Sequence, residues 1–144
     1  MPSSFLKPDL VRDEGERHVA YRDTKGYPTW GIGHKDLLAH VGQIFSSAQI
    51  DAAFNQDVAT AEGGISHALP WFKDLSSLRQ DCLVNMAFNL GVHGLLEFDT
   101  FLGFMQRKKY AQAALDLRGT PWFHEVGDRA NRICQQIISN THQN

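Results

Sequence analysis

Residues 18–34 read HVAYRDTKGYPTWGIGH and form the one strand-like stretch of the chain. Gly26, Pro28, Gly31 and Gly33 punctuate it, with tyrosine, threonine, tryptophan and isoleucine between them. Turn-forming residues interspersed with aromatic and β-branched residues are typical of a β-hairpin. We therefore expect the strands of this protein to lie here, close to its N-terminus.

Helical patterns occupy the sequence on both sides of the hairpin. A short helix is predicted over residues 8–14, because proline is tolerated in a first helical turn, and Gly15 ends it. Ser46, with Gln49 three residues later, forms a capping-box motif. Apolar residues at helical spacing follow it, so a long amphipathic helix is predicted to run to about His67.

The remainder of the chain is also predicted to be helical. A strong apolar stripe indicates a helix over residues 75–90, and Gly91 is a typical helix stop. Glycine and proline at residues 119–121 and at Gly127 are interpreted as separators. The further predicted helices lie at about residues 98–106, 109–117 and 128–139.

These elements predict an α+β protein that is mostly helical. A small N-terminal β-hairpin lobe of about residues 15–45 precedes a larger all-α lobe of about residues 46–144, which the N-terminal helix joins. One long helix links the two lobes. We expect the 144 residues to form a single catalytic domain with its ligand in the cleft between the lobes.

Composition excludes several classes of protein. With 42% hydrophobic and 21% charged residues, the chain is not intrinsically disordered. Its net charge is −2 and it has no basic stripe, so neither nucleic acid nor an anionic membrane is an expected partner. No apolar run could span a bilayer, and residues 1–8 do not resemble a signal peptide, so we expect no membrane anchor.

Cys82 and Cys134 are interpreted as buried, reduced residues rather than a disulfide scaffold.

Two carboxylates and a hydroxyl could meet near the hairpin. Glu14 ends the first predicted helix, Asp23 begins the hairpin turn, and Thr29 lies on the facing strand. A hairpin that folds back towards the helix end could bring all three around one pocket. Glycosidic hydrolysis needs one protonated and one ionised carboxylate. By spacing alone, however, ordinary surface acids are the favoured interpretation of Glu14 and Asp23.

The motifs around these residues add a family resemblance. They are Asp-Glu-Gly at residues 13–15, Tyr-Arg-Asp-Thr-Lys-Gly-Tyr at residues 21–27 and Gly-Ile-Gly-His at residues 31–34. Together with Thr29, they closely resemble the T-even-type bacteriophage lysozymes, which are endolysins that hydrolyse peptidoglycan. The likeness continues in order along nearly the whole chain, at residues 54–58, 85–88, 122–123 and 129–132.

The resemblance implies a role for each residue of the motif. Glu14 resembles the general acid that protonates the leaving glycosidic oxygen. Asp23 resembles the carboxylate that orients a water or stabilises positive charge at the anomeric carbon, and Thr29 resembles a second hydrogen-bond partner of that water. The family inverts the anomeric configuration, and it uses no metal or cofactor.

Further positions are implied by the same resemblance. His34 and Asp57 match a structural ion pair, and Leu37 or Leu38 falls where the family lines its saccharide cleft. Arg129 matches a family arginine that lies against the catalytic glutamate. The implied substrate-binding residues are Gly33, Phe88, Asn89 and Arg129.

The implied biology is that of a phage endolysin. Its substrate would be peptidoglycan, and a holin-type pore would release it from the host cytoplasm once the inner membrane is permeabilised. We expect a monomer. The chain departs from the family in a short segment at residues 35–45 and in its net charge of −2, because well-known members are strongly basic. Electrostatic capture by anionic peptidoglycan should therefore be weaker here.

Three other functions fit parts of the sequence. A zinc amidase would also degrade peptidoglycan, but the seven histidines show no His-Glu-x-x-His or Cys-x-x-Cys spacing. A lytic transglycosylase needs only the acid, so Asp23 and Thr29 favour hydrolysis. A non-catalytic peptidoglycan-binding or membrane-disrupting protein would not need all three residues. Trp71 and Trp122 are predicted to pack in the interior rather than to stack on sugars.

Overall fold

The computed structural model describes residues 2–144. Met1 lies outside the described residues. It is the first residue of the stretch that does not resemble a signal peptide. Within that range the chain forms a three-stranded sheet and seven α-helices. The strands are β1 (Arg17–Arg22), β2 (Pro28–Gly31) and β3 (His34–Lys35). The helices are α1 (Leu6–Glu14), α2 (Ser47–Ala68), α3 (Ser77–Leu96), α4 (Asp99–Gln106), α5 (Tyr110–Arg118), α6 (Pro121–Val126) and α7 (Asp128–Ser139).

The predicted hairpin is confirmed and gains a short third strand. The strands β1 and β2 pair antiparallel with Tyr21 opposite Thr29, and β2 and β3 pair with Trp30 opposite His34. A register shift interrupts the first pairing between Arg17 and Tyr21. Such a bulge increases the local twist of a strand pair. The sheet order β1-β2-β3 leaves β1 at one edge.

The loop that follows β3 closes the hairpin lobe. It returns along the free edge of β1, where the backbone N–H of Ala20 donates to the Gln43 carbonyl at 2.9 Å. The Phe45 N–H donates to the His18 carbonyl at 2.7 Å. The Phe45 ring stacks on Trp30 with 3.7 Å between the ring centroids. An edge strand is thereby covered and a small aromatic core is formed.

The capping box at the start of α2 is confirmed. The Ser46 hydroxyl accepts from the Gln49 N–H at 3.1 Å, and the Gln49 side chain accepts from the Ser46 N–H at 2.8 Å. The helix ends at Ala68, one residue past the predicted end. Its buried residues recur every three or four positions, so a single face of the linking helix contacts the rest of the protein. They are Ile50, Phe54, Val58, Ala61 and Ile65.

Helix α3 is the central helix of the larger lobe. Every residue from 80 to 87 is buried, so α3 is enclosed on all sides over two turns. The predicted stop at Gly91 is a kink rather than an end, because Gly91 adopts φ 76° and ψ 158° and the chain then continues in helical conformation to Leu96. Glycine adopts this left-handed φ without steric cost.

Two elements were missed by the sequence analysis. Helix α6 begins where Gly119-Thr120-Pro121 was interpreted only as a separator, and a 3-10 helix covers Pro70–Asp74. Both begin with proline in the first turn, and the Thr120 hydroxyl accepts from the Phe123 N–H at 3.3 Å. Threonine as N-cap before proline is a helix start, so the interpretation as a separator was wrong.

The other helices follow the prediction to within one or two residues at each end, and the α+β fold class is confirmed. Helix α7 packs on α3, α5 and α6, and the sheet packs on α2. Within residues 2–144, none of the helices combines the length and the apolar character needed to span a bilayer.

Candidate active site

An open cleft lies between the hairpin and the helical part of the molecule. It has a volume of about 440 Å³ and is bounded by Glu14, by hairpin residues and by residues of α3 and α6. A second cavity of about 380 Å³ adjoins it and shares Gly33, Phe88 and Asn89 with it. The two adjoining cavities together form one continuous open site.

Glu14 is the last residue of α1 and reaches the cleft because the helix ends there. Its Oε1 accepts a hydrogen bond from Nη2 of Arg129 at 2.8 Å. Its other oxygen faces Gly33, where an added Cβ would lie 3.1 Å from Oε2. Gly33 has φ +63°, so both the backbone conformation and the close approach of Glu14 favour glycine at this position.

Asp23 lies at the start of the turn between β1 and β2. Its Oδ1 accepts from the backbone N–H groups of Tyr27 and Lys25, each at 2.9 Å, and Lys35 Nζ lies 3.8 Å from Oδ2. The N–H of Tyr27 is the largest influence, and together with Lys25 and Lys35 it lowers the pKa of Asp23 despite some desolvation. Asp23 is therefore an ionised carboxylate at the cleft.

Thr29 lies on β2 and faces the same cleft. Its side chain is buried, and the hydroxyl donates to the Tyr27 carbonyl at 3.0 Å. That bond uses the hydroxyl proton and leaves the oxygen lone pairs available to accept a further hydrogen bond. The structure therefore brings Glu14, Asp23 and Thr29 to the lining of one cleft.

Arg129 lies behind Glu14 and is not among the residues that line the cleft. It is 9% exposed, and its Nε donates to the Asn85 side chain at 2.7 Å. Its Nη2 also donates to the Asn85 carbonyl at 3.2 Å. Arg129 therefore lies against Glu14, as the resemblance implies, but it is not among the residues that line the cleft, where a sugar would bind.

A second carboxylate, Asp13, completes the network behind the cleft. Its side chain is 3% exposed, its Oδ1 accepts from Arg132 at 2.8 Å, and its Oδ2 accepts from Asn85 at 3.1 Å. Arg129 Nε lies 3.7 Å from the same Oδ2. Burial alone would raise the pKa of Asp13, but the hydrogen bonds from Asn85 and Arg12 and the nearby positive charges outweigh it and lower the pKa.

The sequence analysis missed Asp13, Asn85 and Arg132 as parts of the site. Each lies inside a motif that carried the resemblance: Asp13 precedes Glu14, Asn85 begins the motif at residues 85–88, and Arg132 is three residues after Arg129. Spacing could not reveal their contacts, because Asp13 and Arg132 are separated by 119 residues in the chain.

Phe88 and Asn89 line both cavities, as does Gly33. Asn89 is fixed by Trp122, whose Nε1 donates to the Asn89 side-chain oxygen at 2.8 Å. Trp122 is buried, as predicted, but it also lines the cleft. Glu125, on the same short helix, is another lining residue that the sequence analysis did not single out.

His34 and Asp57 meet beside the second cavity. His34 Nδ1 lies 2.8 Å from Asp57 Oδ2, and the two side chains are 24% and 30% exposed. The pair joins β3 to α2. Leu37 and Leu38, by contrast, are 74% and 89% exposed and are not among the lining residues of either cavity.

Cysteine and metal chemistry find no support in the described part of the chain. Cys82 and Cys134 are free and buried, and burial raises the pKa of both thiols, that of Cys134 to about 11. Across residues 2–144, no three histidine, cysteine, aspartate or glutamate side chains form a group that could hold a metal ion. The zinc-amidase alternative therefore has no ligand set among these residues.

Comparison with known proteins agrees with this geometry. The family model described as "Phage lysozyme" matches residues 11–135. The chain is 29% identical to "Probable T4-type lysozyme 1" of Dictyostelium discoideum, with 96% of each chain covered. It is 30% identical to "Pre-baseplate central spike protein Gp5" of Enterobacteria phage T4, over 96% of this chain and 28% of that protein. It is 29% identical to "Endolysin" of Salmonella phage P22, over 73% of each.

The matched region, residues 11–135, begins before Glu14 and continues into α7, so it contains every residue of the cleft described above. The chain therefore belongs to the phage lysozyme family and is a muramidase.

Proposed function

We propose that Glu14 is the general acid that cleaves the β-1,4 bond between N-acetylmuramic acid and N-acetylglucosamine in peptidoglycan. Protonation of the leaving oxygen relieves the charge that develops as the glycosidic bond breaks. The observation that carries this proposal is that Glu14, Asp23 and Thr29 line the same cleft of about 440 Å³. Phe88 and Asn89, on the opposite wall, are proposed to contact the sugars.

Asp23 and Thr29 are proposed to position the attacking water. The lowered pKa of Asp23 keeps its carboxylate ionised, so it can accept a proton or stabilise positive charge at the anomeric carbon. The Thr29 hydroxyl oxygen can accept a hydrogen bond from the same water. A water held between the sugar and Asp23 attacks from the face opposite the leaving group, so the anomeric configuration is inverted.

The experiment that tests the acid is Glu14→Gln, because glutamine has the shape of glutamate but its amide cannot act as a general acid. General acid catalysis is worth roughly 10²–10⁴ in rate, and we expect turnover of purified peptidoglycan to fall by that factor. Glu16→Gln is the matched control, since Glu16 is an exposed carboxylate two residues away, and it should keep wild-type turnover. Near wild-type turnover by Glu14→Gln would refute the assignment.

The same reaction mixtures separate hydrolysis from transglycosylation. Hydrolysis leaves a reducing N-acetylmuramic acid end, whereas a lytic transglycosylase leaves a 1,6-anhydro end. Mass spectrometry of the products should therefore show the mass of one added water per cleaved bond. Asp23 and Thr29 at the cleft favour hydrolysis, because an enzyme that uses only an acid has no need to position a water.

We further propose that the protein acts as an endolysin in the cytoplasm of a phage-infected host. The match to the P22 endolysin supports this role. We propose that it acts as a monomer. A holin-type pore would then admit it to the cell wall, so expression behind an intact inner membrane should not lyse cells. Prompt lysis without a pore or a permeabiliser would contradict the proposed release.

A further inference from the structure

Arg129 contacts two carboxylates of adjacent residues. Its Nη2 donates to Glu14 Oε1 at 2.8 Å, and its Nε lies 3.7 Å from Asp13 Oδ2. Glu14 lines the cleft, whereas Asp13 is not among its lining residues and has a side chain that is 3% exposed. The enzyme thus places a buried negative charge next to the cation that touches its proposed acid.

This arrangement matters because a lone arginine opposes the proposed chemistry. A guanidinium at hydrogen-bond distance favours the ionised carboxylate, and an ionised Glu14 has no proton to donate. A second anion on the same arginine offsets that effect. Asp13 is suited to this, since its hydrogen bonds from Asn85 and Arg132 hold it in place and its lowered pKa keeps it charged.

We propose that Asp13 is a positioning residue that shares Arg129 with Glu14 and so allows Glu14 to keep its proton at the pH where the enzyme works. Arg132 has the opposite influence, because it lies 2.8 Å from Asp13 and partly neutralises it. The inference rests on the proposed function, in which Glu14 is the acid.

Other charged groups surround the network and remain constant in the test below. Those behind it, on α1, α3 and the C-terminal segment, are Asp9, Arg12, Asp81 and His142. Those across or beside the cleft, on the hairpin and α6, are Asp23, Lys25, Lys35 and Glu125. Asp13 lies against Arg129, the arginine that also contacts Glu14, and Arg132 bonds to Asp13 at 2.8 Å. Arg12 also bonds to Asp13, at 3.2 Å, and is unchanged in every variant.

The test compares three charge variants by the pH dependence of kcat/KM on soluble peptidoglycan fragments. At high pH, kcat/KM falls as the acid loses its proton, and we call this fall the alkaline limb. Asp13→Asn removes the compensating anion, so the alkaline limb should move to lower pH, by roughly 0.5–1.5 units. Arg132→Gln removes the cation that neutralises Asp13, so the alkaline limb should move to higher pH. The double variant removes one charge of each sign, and its limb should return close to the wild-type position.

Loss of structure alone cannot move the alkaline limb in opposite directions in the two single variants. It would lower activity at every pH, and most in the double variant. Limbs that stay in place, or that move in the same direction in both single variants, would overturn the inference. If Asp13→Asn does not fold, the direction in which the alkaline limb moves in Arg132→Gln tests the inference by itself. Glu14→Gln, measured in parallel, separates the two proposals: if it stays active, the proposed function fails, and if it is inactive while the limbs stay fixed, only this inference fails.

Discussion

The Asp13 side chain is 3% exposed and Asp81 is 2% exposed, yet their pKa values move in opposite directions. Asp13 is paired with arginines and Asn85, and these partners outweigh the cost of burial. For Asp81 the main effect is burial, which raises the pKa, and the negative charges of Asp9 and Glu62 add to it. Ser3 donates to both Asp81 oxygens but lowers the pKa by less. The same side chain is thus stabilising at one position and costly at the other.

We therefore expect Asp81→Asn to be more stable than the wild type near pH 7. Asparagine can still accept from the Ser3 N–H and donate to its hydroxyl, while the desolvated charge is gone. A folded pKa above the unfolded value of about 3.9 means that the wild type loses stability as pH rises from there through the folded pKa. The variant lacks this loss, so its advantage, about 1 kcal/mol, should be complete above that range and absent below it.

Thermal melts of both proteins across this pH range measure the difference. The exposed Asp74 offers a matched control, and Asp74→Asn should follow the wild type at every pH. A variant that melts below the wild type near pH 7 would show that the two bonds from Ser3 outweigh the desolvation of the carboxylate.

At the scale of elements, local signals predicted most of the fold. The hairpin, the capping box at Ser46 and the boundaries of α7 all follow from residues close together in sequence. Helix α6 was missed because Thr120-Pro121 can separate two helices or begin one, and the choice depends on what the new helix contacts. Trp122 settles it, since its indole is buried and bonds to Asn89 from α3.

For the candidate site, too, local sequence signals predicted some residues but not the contacts between distant ones. Glu14, Asp23 and Thr29 could be named from their motifs, and the turn that holds Asp23 is local, with bonds to Lys25 and Tyr27. The network behind Glu14 could not be predicted from spacing, because its bonds join α1 to α3 and α7 across most of the chain. Only the packing of those helices brings Asp13, Asn85 and Arg129 together.

At the scale of the whole molecule, one of two polar contacts at the cleft joins the hairpin to the helical part. Glu14 and Arg129 connect the end of α1 to α7, and His34 and Asp57 connect β3 to α2. Glu14 lines one of the two adjoining cavities, and His34 and Asp57 line the other. The position of the hairpin against α2 therefore depends partly on a half-buried pair, which is less exposed to solvent than a surface pair.

We expect Asp57→Asn to lower the free energy of unfolding by about 1–2 kcal/mol, because asparagine keeps an acceptor for His34 but loses the charge. Asp51→Asn is the matched control: Asp51 lies on the same helix, also 2.8 Å from its partner, Lys7, but these side chains are 53% and 48% exposed. Exposed pairs are worth less than about 1 kcal/mol, so Asp51→Asn should have the smaller effect in urea unfolding. If the two variants lose equal stability, the His34–Asp57 pair does not hold the hairpin against α2.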